Sequence, residues 1–162
     1  MPGLTPEEIE RLREASGLSL DRDGRFRHQG TAVEHPRVDR ALRRGLGRAR
    51  DGRPIVSFGP TWAYLAVADV LYRVRLARTD ADGERLRSCH LVLDDDTEEP
   101  LDLSPGAVAL DADGVFYLKV KAGREWARCL PAAHAALGAF VVEYPAGAHL
   151  VTVNGDLPLE KR

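Results

Sequence analysis

Cysteine is almost missing from this chain, and that scarcity sets the first limits. Only Cys89 and Cys129 occur, a separation that fits neither a disulfide framework nor a metal or redox spacing. Long apolar runs are missing too. No stretch approaches the ~18 apolar residues of a membrane-spanning helix, so no membrane association is expected. The opening segment, Met1-Pro2-Gly3-Leu4-Thr5-Pro6-Glu7-Glu8, lacks a basic patch followed by an apolar core, so no secretory signal is expected. A cytoplasmic protein with reduced thiols is the expectation. Neither sign of charge dominates: 23 basic residues face 25 acidic ones, for a net charge of −2. That balance argues against a polycation that holds nucleic acid.

Catalytic motifs are equally scarce. The histidines are His28, His35, His90, His134 and His149, and no two stand four apart on a helix. No His-Glu-x-x-His zinc motif occurs, and Ser57 and Ser88 lack a Gly-x-Ser-x-Gly elbow. Gly45-x-Gly47 lacks the lysine and hydroxyl residue of a phosphate loop. No catalytic residue, metal or cofactor is therefore assigned, and a non-enzymatic protein is expected.

What the chain does contain is a phrase used twice. Leu20-Asp21-Arg22-Asp23-Gly24-Arg25-Phe26 returns as Leu110-Asp111-Ala112-Asp113-Gly114-Val115-Phe116. Each copy is followed by a Gly turn (Gly30; Gly123), a proline that opens a helix (Pro36; Pro131), and a pair of apolar runs. Internal repeats carry more weight for a fold than single residues do. The order predicts an α+β fold of two tandem strand-strand-helix-strand-strand repeats with mainly antiparallel sheets, preceded by a short N-terminal helix. The expected parts are the helix at 1–17, a first repeat with an extra hairpin at 18–93, an acidic linker and short strand at 94–106, and a second repeat at 107–162. Residues 157–162 are expected to fray.

Local signals fill in the detail. Thr5, Pro6 and Glu8 form a complete helix start, with a capping box and proline at the first position. The Asp-x-Asp-Gly pairs suggest calcium, but an EF-hand loop needs an oxygen ligand at its fifth position and a glutamate at its twelfth. Arg25 and Ala32, or Val115 and Ala122, stand there instead, so both are read as turns.

Two features could bind a partner. The segment from Pro36 to Arg50 reads as one helix carrying six arginines, with Arg40, Arg44 and Arg48 four apart on one face. Arg43 adds to the cluster. This is either a solvated arginine face or a contact for an anionic partner, small anionic ligand or the chain's own acidic run 94–99. Trp62, beyond the Gly59-Pro60 turn, is either an exposed recognition anchor or a side chain folded back on the core. Probable edge strands within 64–78 and 85–93 allow pairing across a homodimer.

The string Asp23-Gly24-Arg25-Phe26…Gly30-Thr31-Ala32-Val33, a helix, Asp51-Gly52-Arg53 and Val67-Ala68-Asp69 resembles the bacterial family known as domain of unknown function 1285. Leu93-Asp94-Asp95-Asp96 falls where that family has another acidic segment. The resemblance runs from about residue 19 to 155. Phe26 replaces a usual Trp, and Val70-Leu71 stand near a usual Pro-Phe. The resemblance implies a two-part α/β protein, no established catalytic residues, and a conjectured role in signalling or protein interaction. The expected function is a binding or regulatory module acting through protein contacts. Two alternatives stand: a small-molecule sensor with a pocket between the repeats, and an enzyme with a site assembled from His28, His35, His90 or His134.

Overall fold

The computed structural model describes residues 3–162. The chain divides into two compact units, with the boundary between Leu71 and Tyr72.

The N-terminal unit begins with helix α1 (Pro6–Glu14). Its start is the capping box: the Thr5 hydroxyl accepts the Glu8 N–H at 3.2 Å, and the Glu8 carboxylate accepts the Thr5 N–H at 2.7 Å. Strands β1 (Leu18–Leu20), β2 (Phe26–His28) and β3 (Thr31–Ala32) follow, then helix α2 (Pro36–Arg44). Strands β4 (Leu46–Arg48), β5 (Pro54–Phe58), β6 (Thr61–Tyr64) and β7 (Ala66–Val67) complete the unit. They form a four-stranded sheet in the order β3-β2-β1-β7 and a three-stranded sheet β4-β5-β6. Leu20, Phe26, Leu42, Val56, Leu65, Val70 and Leu71 are buried apolar side chains of this unit.

The C-terminal unit contains strands β8 (Tyr72–Asp82), β9 (Arg85–Leu93), β10 (Glu98–Pro100), β11 (Val108–Leu110), β12 (Phe116–Val120) and β13 (Glu125–Cys129). Helix α3 (Pro131–Gly138) and strands β14 (Val141–Tyr144), β15 (Gly147–Thr152), β16 (Gly155–Pro158) and β17 (Glu160–Lys161) follow. All ten strands of this unit belong to one mixed sheet, ordered β14-β15-β9-β8-β13-β12-β11-β17, with β10 on β9 and β16 on β15.

This architecture overturns the expected two tandem repeats with mainly antiparallel sheets. The chain is mostly strand, and its two units differ in sheet size and make-up. The physical cause is the hairpin β8–β9, which the sequence presents as an appendage. Its strands instead form the spine of the large sheet: β13 joins β8 in parallel at Tyr72↔Ala127 and Val74↔Cys129, and β15 joins β9 in parallel at Leu86↔Thr152. Such pairings link residues far apart in sequence, which no local period announces. What agrees is confined to short pieces. Asp21 Oδ1 accepts the N–H groups of Asp23 and Arg25 at 3.0 and 2.9 Å, and Asp111 Oδ1 those of Asp113 and Val115 at 2.9 Å each. Gly24 and Gly114 take positive φ there, 85° and 76°, so each carboxylate is spent on closing its own turn.

The acidic stretch is not a linker. Leu93 N–H donates to Thr97 O at 2.9 Å, closing a turn between β9 and β10. Its carboxylates are engaged inside the C-terminal unit: Asp94 with the Arg73 N–H (3.1 Å), Asp95 with Lys121 (2.7 Å), Asp96 with Arg75 (3.2 Å), and Glu99 with the Lys121 N–H (3.0 Å). Arg73, Arg75 and Lys121 thus hold these acids. Residues 157–162 do not fray either. Lys161 pairs with Leu110 in parallel, the Arg162 N–H donates to Leu110 O at 2.8 Å, and its guanidinium lies 4.5 Å from the Tyr117 ring centre.

Candidate functional site

The arginine helix is shorter than its arginine spacing suggests. His35 caps it, accepting the Arg37 N–H on Nδ1 at 3.2 Å, and Pro36 occupies the first turn. It stops at Arg44, because Gly45 lies against β5: Ser57 N–H donates to Gly45 O at 2.8 Å, and a Cβ at Gly45 would collide with the Ser57 backbone. The expected Arg40–Arg44–Arg48 face therefore does not form, since Arg48 stands on strand β4.

The four arginines have different jobs. Arg43 grips Asp39 through Nε (2.9 Å) and Nη2 (3.0 Å), donates to Gly24 O at 2.6 Å, and lies 5.1 Å from the Phe26 ring centre. It ties α2 to the Asp21–Arg25 turn. Arg48 donates to Gly52 O at 2.8 Å. Arg40 and Arg44 stay exposed, one helical turn apart.

Trp62 is half-buried and is covered by α1, with the Arg13 guanidinium 3.7 Å from its ring centre. Phe58, 42 % exposed, is the apolar side chain left at that hairpin tip. Beside Trp62, packed edge-on at 5.1 Å, stands Tyr64, which sequence reasoning passed over. Its hydroxyl donates to Glu10 at 2.6 Å and accepts from Arg53 at 2.6 Å, while Arg53 also binds Asp51 at 2.7 Å. The bond to Glu10 holds the Tyr64 phenol above its ordinary value, and hydrogen bonds from the Arg53 backbone and side chain hold the Asp51 carboxyl below its own. Clefts of about 490 and 510 Å³ flank this cluster. It holds α1 in place through polar groups that already satisfy one another.

A larger concavity lies within the C-terminal unit. A groove of about 770 Å³ runs between the β14–β15 turn and the β11–β17 edge. Leu110, Pro158 and Leu159 supply apolar surface, while Glu143, His149 and Lys161 are among the polar lining residues. His149 is fixed from two sides. Nδ1 lies 3.1 Å from Gly147 O, and the ring stands edge-on to Tyr144 at 5.0 Å. A carbonyl only accepts, so Nδ1 carries the proton and Nε2 is left for another partner. Tyr144 is held in turn by Asp156 at 2.8 Å, a bond that raises its phenol pKa. The groove draws on residues 110–112, 143–149 and 158–162, so only the long-range pairings assemble it, and no motif could have marked it.

The remaining candidates are dispersed. His28 and His35 lie in the N-terminal unit. In the C-terminal unit His90 is 3.5 Å from Glu98, and His134 lies on α3 against the Phe116 ring at 5.2 Å. Among the described residues no three His, Cys, Asp or Glu side chains gather as a metal site would require. No helix of the described residues is long and apolar enough to cross a membrane.

Cys89 and Cys129 are both buried, and neither is in a disulfide. Burial pushes the Cys89 thiol up to about 11 and raises that of Cys129 as well. Thiolate is the reactive form, so at pH 8 the folded protein should react with a thiol-specific chromogenic disulfide about a hundredfold more slowly than an exposed cysteine. Both thiols should titrate promptly in guanidinium. Prompt labelling of the native chain would refute this.

The fold has solved counterparts. The model is similar to the crystal structure of a DUF1285 family protein from Silicibacter pomeroyi DSS-3, with a TM-score of 0.67 and 16% identity over 89% of this chain and 79% of that one. It is also similar to a DUF1285 family protein from Shewanella baltica OS155, with a TM-score of 0.55 and 14% identity over 78% of this chain and 94% of that one. The chain therefore has a DUF1285-like fold. No protein-family model matches the sequence, and no curated protein matches it.

Proposed function

We propose that this protein is a non-enzymatic binding module that recognises a short segment of another protein in the groove of its C-terminal unit. The observation that carries this reading is the groove itself: an apolar floor of Leu110, Pro158 and Leu159 beside side chains of both charge signs. Apolar floors supply affinity, and a few placed polar groups fix register. A segment with one apolar anchor between an acidic and a basic residue matches that lining. His149, oriented by Gly147 and Tyr144, presents Nε2 to a backbone or side-chain donor. Arg40 and Arg44 on α2 offer a separate contact, within the N-terminal unit, for acidic stretches. Neither has a polar partner among the described residues, and exposed guanidinium groups form charge-assisted bonds with carboxylates.

Selection from a displayed peptide library tests this directly. Enriched peptides should share an apolar residue flanked by opposite charges and bind the full chain. Leu159→Arg, which places a charge in the half-buried floor, should weaken them about tenfold or more. The pair Arg40→Glu and Arg44→Glu should leave groove peptides unaffected and weaken acidic peptides that bind the N-terminal unit. Failure to enrich any shared sequence, or equal binding to Leu159→Arg, would overturn the groove assignment.

A further inference from the structure

We infer that two copies of this chain pair through the outer edge of β8, extending the large sheet across a two-fold axis. The segment is Leu76–Asp82. On its inner side β8 pairs with β9 from Val74 to Asp82, but on its outer side β13 stops at Val74. Beyond that point no strand among the described residues takes the outer edge. Six of these seven residues are exposed and Ala77 is half-buried, although their β9 partners Leu86, Cys89, Leu91 and Val92 are buried. The core-facing side of the sheet thus runs out to a wet, unpaired rim.

The segment is regular. One irregularity lies before it, where Arg75 is extra on β8. The other, between Asp80 and Ala81, puts the extra residue Arg87 on β9. Side chains of Leu76–Asp82 therefore alternate without interruption, with Ala77, Thr79 and Ala81 on the core-facing side and Leu76, Arg78, Asp80 and Asp82 on the other.

The sequence of the rim selects its own mate. Directly opposed residues of an antiparallel pair share a face, so a two-fold axis must pass through a residue and its own copy. Centred on Thr79, the pairing sets Arg78 opposite Asp80 twice, Thr79 opposite Thr79, and Ala77 opposite Ala81. Opposite charges and Thr–Thr pairs across strands are favourable, and the small side chains permit close approach on the core-facing side. Moving the centre by one residue sets Arg78 against Arg78, or Asp80 against Asp80, and like charges directly opposed are unfavourable. Charge complementarity thus specifies both the partner, a second copy, and the register. Arg78 now leans toward Glu98 at 3.7 Å and Asp80 toward Arg87 at 3.2 Å. Both are exposed pairs of the kind that hold little energy and rearrange easily.

Sedimentation of the full chain over a concentration series tests the pairing. The parent chain should reach a dimer at tens of micromolar or below, as an order of magnitude for a modest strand-edge interface. Arg78→Asp alone and Asp80→Arg alone should each raise the dimer Kd about tenfold or more, because two attractions become two repulsions. The double variant Arg78→Asp with Asp80→Arg should restore it. Hydrogen exchange supplies a readout independent of substitution: amides in 76–82 should gain protection on raising the concentration through the Kd. A monomeric parent chain, a dimer indifferent to the single reversals, or a double variant that fails to recover while melting normally would each overturn the inference.

Discussion

Phe116→Ala should lower the melting temperature of the C-terminal unit by about 12 °C or more. Phe116 is 1 % exposed and sits on β12, paired on one side with Leu110 of β11, while its ring packs against His134 of α3. Truncating a buried Phe loses transfer free energy and leaves a cavity, together about 3–5 kcal/mol. Each kcal/mol moves a unit the size of Tyr72–Arg162 by about 4–8 °C. Thermal melts read by tryptophan fluorescence in a Trp62→Phe background, where Trp126 is the remaining reporter, measure the unit directly. A shift under about 3 °C would show that the Phe116 ring is not packed in the core of the unit.

Asp95→Ala is the second large loss, about 2–4 kcal/mol. The Asp95 side chain is 8 % exposed and that of Lys121 is 20 % exposed, with 2.7 Å between them. Lys121 Nζ also donates to Thr97 at 2.8 Å and lies 4.8 Å from the Tyr72 ring centre. Removing the carboxylate leaves a half-buried ammonium short of its main acceptor, which costs more than losing an exposed pair. Burial alone would raise the Asp95 carboxyl, but the bonds from Lys121 and Thr97 outweigh it, so its pKa falls below the ordinary value of 3.8. A carboxyl depressed on folding contributes stability above its unfolded pKa and loses it as pH falls through the folded one. The parent chain should therefore lose this contribution below about pH 4. Asp95→Ala should show a shallower decline over the same range in urea melts at stepped pH. Equal slopes would mean that the pair is idle.

How far the sequence led depended on the range of each interaction. The Thr5–Glu8 capping box, the Asp21 and Asp111 turns, and the start of α2 at Pro36 were legible, because side chain and backbone meet within four residues. So was the start of α3 at Pro131. The end of α2 was misread because Leu42 and Leu46 keep a helical spacing across Gly45, while the stop is imposed by Ser57 on another strand. The acidic run looked like a linker because its neutralising partners, Arg73, Arg75 and Lys121, are distant in sequence. The large sheet was hidden for the same reason, and with it the groove around His149. Tyr64 was overlooked because its partners Glu10 and Arg53 arrive from two directions.

The spine hairpin has a consequence for biosynthesis. Tyr72 and Val74 leave the ribosome about fifty residues before Ala127 and Cys129, and Leu86 precedes Thr152 by more. At about 5–20 residues per second, translation leaves β8 and β9 waiting roughly three to ten seconds for those neighbours. During that interval Val74, Leu86 and Leu91 have no finished sheet around them. A chain cut before Thr152 would leave β9 without the parallel neighbour that β15 supplies at Leu86.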